Sequence, residues 1–77
     1  MATIEFKRKD FIEGDSDEFY VKYTKDEIGQ GSNLIVEIIN KDGLYDVVQV
    51  PIKRSDDHIF ICFSTPVDGR LIFEKYN

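Results

Sequence analysis

The sequence predicts an all-β fold: a small antiparallel sandwich of immunoglobulin-like kind, or a partly open barrel, of about six strands. Three observations carry that expectation. Runs with the two-residue period of a strand recur along the chain, as EFYVKYT, LIVEIIN, LYDVVQVPI, HIFICFS and GRLIFEKY. Turn formers separate them, notably Asp42-Gly43 and the Pro66 to Gly69 stretch. The one helix signal is a capping box, Thr24-Lys25-Asp26-Glu27, with room for a single turn near residues 25–29 before Gly29 and Gly31.

The first segment, Thr3 to Lys7, sets Ile4 and Phe6 against Thr3, Glu5 and Lys7, the pattern of an edge strand with one wet face. Phe11 and Ile12 anchor a second short strand before Gly14 and the acidic turn Asp15, Ser16, Asp17. Phe19, Val21 and Tyr23 then oppose Tyr20 and Lys22 in a half-buried strand. LIVEII is apolar on both sides, with Leu34, Val36 and Ile38 in one row and Ile35 and Ile39 flanking Glu37 in the other. Such a strand is expected to be central and covered on both faces.

Asp42-Gly43 predicts a hairpin joining 34–40 to 44–50 through a turn with positive φ at both central residues. In the return strand Val48, Val50 and Ile52 form one row and Tyr45, Val47 and Gln49 the other, while Pro51 removes a ladder donor and points to an edge or a bulge. Ile59, Ile61 and Phe63 alternate with His58, Phe60 and Cys62, again with both faces apolar. After the turn at Thr65 to Gly69, Leu71 and Phe73 are expected to point at the core. Connections this short allow only antiparallel pairing, so the predicted order is a meander, and packing two sheets face to face is favoured over barrel closure.

The 77 residues are expected to form one domain, 1–77, which hides only about 60% of its unfolded surface. Fifteen acidic against ten basic residues give a net charge of −5, which disfavours nucleic acid and suits a partner protein with a basic surface. A single cysteine, Cys62, excludes an internal disulfide framework and a thiol-based zinc site, and fits a reducing compartment. The start, MATIEFKRKDF, has no apolar leader core, and no run approaches the roughly 18 apolar residues of a membrane span. A cytoplasmic location is expected, with no membrane partner.

Candidate chemistry is sparse. His58 is the lone histidine, and its distance from Cys62 along one strand, about 13 Å at the usual rise, is too long for a nucleophile–base pair. Asp56, Asp57 and His58, and the cluster Glu13, Asp15, Asp17, Glu18, offer cation ligands, but counting an EF-hand loop from Asp15 puts Tyr20 and Asp26 where glycine and glutamate belong. Gly29-Gln30-Gly31 is a lone GxG with no helix behind it, and Lys7-Arg8-Lys9 is too short for a nucleic-acid groove. Glu37, in mid-strand, is expected either at the rim of the sheet or paired with Lys22 or Arg70. No catalytic residue, metal or cofactor is expected.

What remains is surface. Tyrosine beside acid is a common composition for a protein-binding patch, and the candidate partner-binding residues are Asp15, Asp17, Glu18, Tyr20, Tyr45, Asp56, Asp57 and Tyr76. The expected function is therefore a non-enzymatic protein-binding module that acts stoichiometrically. A small acidic domain of this kind suits a virus-encoded inhibitor of a host system, an analogy of size and charge that no motif carries. The alternative is a structural building block of a larger assembly, such as a phage particle, joined by sheet edges or by self-association into a homo-oligomer. A sugar-binding role is disfavoured by the absence of tryptophan.

Overall fold

The structure, a computed structural model, describes residues 1–29 and 33–74. Within them lie the strands β1 (Ala2–Phe6), β2 (Ile12–Glu13), β3 (Phe19–Thr24), β4 (Ile35–Ile39), β5 (Tyr45–Val48), β6 (Ile52–Arg54), β7 (His58–Phe63) and β8 (Gly69–Phe73). One helical turn, α1 (Lys25–Ile28), follows β3, and a 3-10 turn spans Arg8–Asp10. The strands make two antiparallel four-stranded sheets, ordered β1-β8-β4-β5 and β2-β3-β7-β6. This is a small all-β sandwich.

The connectivity departs from the expected meander. Hairpins join β2 to β3, β4 to β5 and β6 to β7 within a sheet, whereas the connections between them pass from one sheet to the other. LYDVVQVPI is accordingly two strands in different sheets, broken at 49–51. Pro51 donates nothing there, and its carbonyl accepts the Cys62 N–H at 3.0 Å, the last rung beside β7. Crossing at the β5–β6 and β7–β8 connections is favoured because each carries an apolar residue, Val50 and Val67 respectively, that packs against the core. A hairpin loop would have left each in water.

Turn chemistry differs from expectation in a second way. At Asp42-Gly43 only Gly43 has positive φ, at 82°, and the loop is three residues long, closed by Asn40 N–H to Leu44 O at 2.8 Å and Gly43 N–H to Asn40 O at 3.0 Å. The Asn40 side chain receives the Asp42 and Leu44 N–H groups, which favours this longer loop over the two-residue turn. The tight turn with two positive φ values instead lies at Ser16 (56°) and Asp17 (61°), closed by Glu18 N–H to Asp15 O at 3.2 Å. It has no glycine. Serine and aspartate hold the left-handed region there at some backbone cost.

The α1 turn matches its capping box: the Thr24 hydroxyl receives the Glu27 N–H at 3.2 Å and the Glu27 carboxylate receives the Thr24 N–H at 2.9 Å. Its Ile28 is fully buried and plugs one end of the core, whose other wholly buried side chains are Phe6, Ile59, Ile61 and Leu71. Burial of each such side chain contributes about 1.5–3 kcal/mol. The inward rows are those the alternation predicted, but the outer rows are not covered by a further layer. Ile39 stays exposed although β4 is central in its sheet, as does Val47 of the edge strand β5, because the four-stranded sheets share a single interface between them.

Two glycines set local limits. Gly69 opposes Phe6 in β1 and Ile38 in β4, and a Cβ at this position would run into the Glu37 carbonyl and the Phe6 ring. Gly43 has open space around it but a φ of 82°. In urea unfolding at constant m, Gly69→Ala is expected to cost about 2 kcal/mol through overpacking, Gly43→Ala about 1 kcal/mol through backbone strain, and Asp17→Gly to stabilise by about 0.5 kcal/mol.

Tyr23 adds a pH dependence. Burial, reinforced by the negative charges of Asp10 and Glu27, pushes its phenol from 10.0 up to about 12. The neutral form is thus favoured in the folded state, so its contribution is whole below pH 10 and lost as pH rises through 12. Stability is expected to fall over that interval by on the order of 2 kcal/mol more in the parent protein than in Tyr23→Phe. Equal slopes in the two proteins would contradict the assignment.

Candidate functional site

The alternation of each strand gives the sandwich two outer faces. On the second sheet the outward row of β7 is His58, Phe60 and Cys62, flanked across the ladder by Tyr20, Lys22 and Thr24 of β3 and by Lys53 of β6. Tyr20 and Phe60 meet edge to face with ring centres 5.5 Å apart, and His58 lies 6.3 Å from Phe60. The β2–β3 hairpin rises at one side of these rings, with Gly14 N–H bonded to Glu18 O at 2.7 Å. The Tyr20 ring packs beside Gly14, at ordinary contact distance from where a Cβ would stand.

Between this hairpin and β6 runs a groove of about 750 Å³. Tyr20, Phe60 and Cys62 line it along with Glu13, Asp15, Glu18, Lys53 and Arg54; Glu13 pairs with Phe19 across the ladder, so its side chain leaves β2 on the face opposite Tyr20. A smaller hollow of about 430 Å³ shares Ser16, Glu18 and Cys62 with it and reaches Asp17, Pro51 and Ser64.

Within the groove Lys53 Nζ meets Glu18 Oε1 at 2.9 Å. That hydrogen bond, joined by one from the Cys62 thiol, holds the Glu18 carboxyl below its usual range, and Glu18 in turn raises the Lys53 ammonium. Cys62 is 2% exposed, and burial first, then the Glu18 bond, push its thiol up. A thiol held protonated in this way is a poor nucleophile. Among the described residues, no group of three or more histidine, cysteine or acidic side chains gathers in a way that could hold a metal ion.

The other outer face, on the first sheet, carries a different arrangement. Glu37 of β4 opposes Arg70 of β8, as one of the two expected pairings had it, with Arg70 Nε 2.6 Å from Glu37 Oε1. The Arg70 guanidinium also lies over the Tyr45 ring, 3.6 Å from its centre. The pair is half-withdrawn from solvent, with side chains 33% and 13% exposed for Arg70 and Glu37. Around it Ile35, Ile39, Val47 and Ile72 make the face apolar.

The candidate residues are thus divided. Asp15, Glu18 and Tyr20 come together in the groove, and Asp17 stands beside it. Tyr45 belongs to the opposite face, stacked under Arg70. Asp56 and Asp57 form the β6–β7 turn beside α1, where Asp57 O accepts the Lys25 N–H at 3.0 Å, at the far end of β3 and β7 from the Asp15 turn. Tyr76 lies outside the described residues. Lys53, Arg54 and Phe60 join the site without having been singled out, and Glu13, weighed only as a cation ligand, lines it as well. Phe60 was assigned to the row alternate to Ile59 and Ile61 on a strand expected to be covered on both faces, and only the β6–β7 register sets Lys53 directly opposite it.

No helix among the described residues is long and apolar enough to cross a membrane. Comparison with protein families, with curated proteins and with solved structures finds no match for the chain.

Proposed function

We propose that the chain is a non-enzymatic protein-binding module that engages its partner stoichiometrically through the groove on the second sheet, in the manner of a small inhibitor. The observation that carries this reading is an aromatic floor, Tyr20 and Phe60, beside an acidic rim, Asp15 and Glu18. Aromatic rings offer large, rigid contact area, and the rim adds a field that attracts a basic partner. The net charge of −5 extends that field over the whole molecule. A buried, protonated thiol and a histidine set apart from it leave contact as the chemistry these residues support. A cytoplasmic location suits the single unpaired cysteine.

A second reading, a building block of a larger assembly, draws on a separate observation. On the outer face of the first sheet Val47 is 67% exposed beside Ile39, an apolar surface in position for self-association.

Affinity capture on the immobilised protein, from a lysate of the cells in which it occurs, followed by mass spectrometry, separates the two. A one-to-one partner is expected at low salt, weakened at moderate salt, lost on Asp15→Lys and retained on Asp57→Lys. Capture indifferent to Asp15→Lys, or no partner together with a symmetric oligomer in light scattering, would contradict the groove reading.

A further inference from the structure

Four strands stand at the margins of the two sheets, β1 and β5 in the first and β2 and β6 in the second. Three of them are guarded against the addition of a further strand. β1 carries Glu5 and runs into Lys7, its ion-pair partner at 3.8 Å, β2 is two residues long, and β6 follows Pro51 and holds Lys53 and Arg54. β5 has neither cation nor proline. Its one charge, Asp46, lies on the inward row and receives the Asn40 Nδ2 at 3.2 Å. The ladder sets which backbone groups this margin offers. Asn40 N–H donates to Leu44 O at 2.8 Å and Ile39 N–H goes the other way, to Asp68 O at 3.1 Å, so bonding between β4 and β5 runs through the pairs 40–44, 38–46 and 36–48. The N–H and C=O groups of Tyr45 and Val47 therefore point away from β4, to a side on which no other strand of the described residues pairs. Along the same margin the sandwich is open in a cleft of about 400 Å³, lined by Val36, Val48, Val50 and Ile52 of the inward rows, with Gln49 the one polar side chain in its lining. Core side chains thus reach solvent beside a backbone edge that lacks a partner.

We propose that β5 pairs antiparallel with β5 of a second copy of the chain, about a two-fold axis at Val47, which joins the two first sheets into one. The pairing rests on the self-association reading and names its edge and register; the groove on the second sheet takes no part in it. A second copy is the occupant because the match is reciprocal: each copy brings the same free groups at Tyr45 and Val47 and the same apolar cleft to be covered. With the axis at Val47, the two copies of that residue exchange their N–H···O bonds, and Tyr45 of each faces Gln49 of the other. The 67%-exposed Val47 then packs against its own counterpart, and each Asp46 faces Val48. An axis at Asp46 would set two carboxylates opposite one another in the closer, non-bonded kind of pair. An axis at Tyr45 would set Val47 against Gly43, in the turn beyond the strand. One strand pair and its cleft make a small contact beside the roughly 1,200–2,000 Å² of a stable interface, so the dimer is expected to form at high concentration and to dissociate on dilution.

The test is sedimentation equilibrium on the full chain over a range of concentrations at low and moderate salt, with amide exchange of the nitrogen-15-labelled protein followed at the two ends of that range. A monomer–dimer equilibrium is expected, strengthened by moderate salt because two copies of charge −5 repel one another. The amides of Tyr45 and Val47 are expected to exchange more slowly in the dimer alone. Val47→Lys is expected to weaken dimerisation roughly tenfold or more, since a lysine on a sheet edge opposes strand addition. Thr3→Lys makes the same change of net charge on β1, at the opposite margin of the same sheet, and is expected not to weaken the dimer. A dimer that survives Val47→Lys, or one in which the Tyr45 and Val47 amides stay unprotected, would overturn the pairing and leave self-association to another surface. A chain that is monomeric at every concentration would overturn both. Protection of these amides only in complex with a captured protein would give the edge to a foreign strand and overturn the second copy as its occupant.

Discussion

The organisation of this molecule follows from a limit on burial. A chain of 77 residues has enough apolar side chains for two sheets and one interface between them, and that interface absorbs a single row from each strand. Strands with two apolar rows, such as β4 and β7, therefore present the second row outward. What those outer rows do is the question on which function turns. On the first sheet the row is held down by the Arg70–Glu37 pair under which Tyr45 is stacked, and on the second it becomes the floor of a groove.

Strand β8 is where the interface is most tightly constrained. It pairs with β1 on one side and β4 on the other, so the two ends of the described fold are tied by the same strand. Its Leu71 and Phe73 enter the core, and at Gly69 the backbone comes so close to Phe6 and the Glu37 carbonyl that no side chain fits. The outward Arg70 sits between these inward positions and meets Glu37 directly across the ladder. Packing inside and charge pairing outside are thereby set by one register, and a shift of one residue would exchange them.

Much of this was legible in the residues. The strand alternation of β3, β4 and β7 identified the inward rows, the Thr24 box located the single helical turn, and Glu37 was matched to Arg70 as one of its two candidate partners. The order of the strands was not legible, because turn formers at Pro51 and Pro66 mark where the chain bends without saying whether it returns beside its neighbour or crosses the core. That choice was decided by the burial of Val50 and Val67. The tight turn escaped notice because Ser16 and Asp17 adopt positive φ without the glycine that usually announces it. The site was legible in part: Asp15, Glu18 and Tyr20 belong together, but Tyr45, Asp56 and Asp57 share their composition without sharing their location. Charge and residue type say what a surface contains, and only the register says which groups meet.

The account stands on one shared core that makes both sheets a single cooperative unit. Native-state hydrogen exchange tests this most directly, through the amides of Val21 and Ile61 in the second sheet and Val36 and Leu71 in the first. A common opening free energy, equal to that of global unfolding, is the expected result. Exchange of one sheet at a much lower free energy, with the other still protected, would show that each sheet is stabilised separately and would contradict the account.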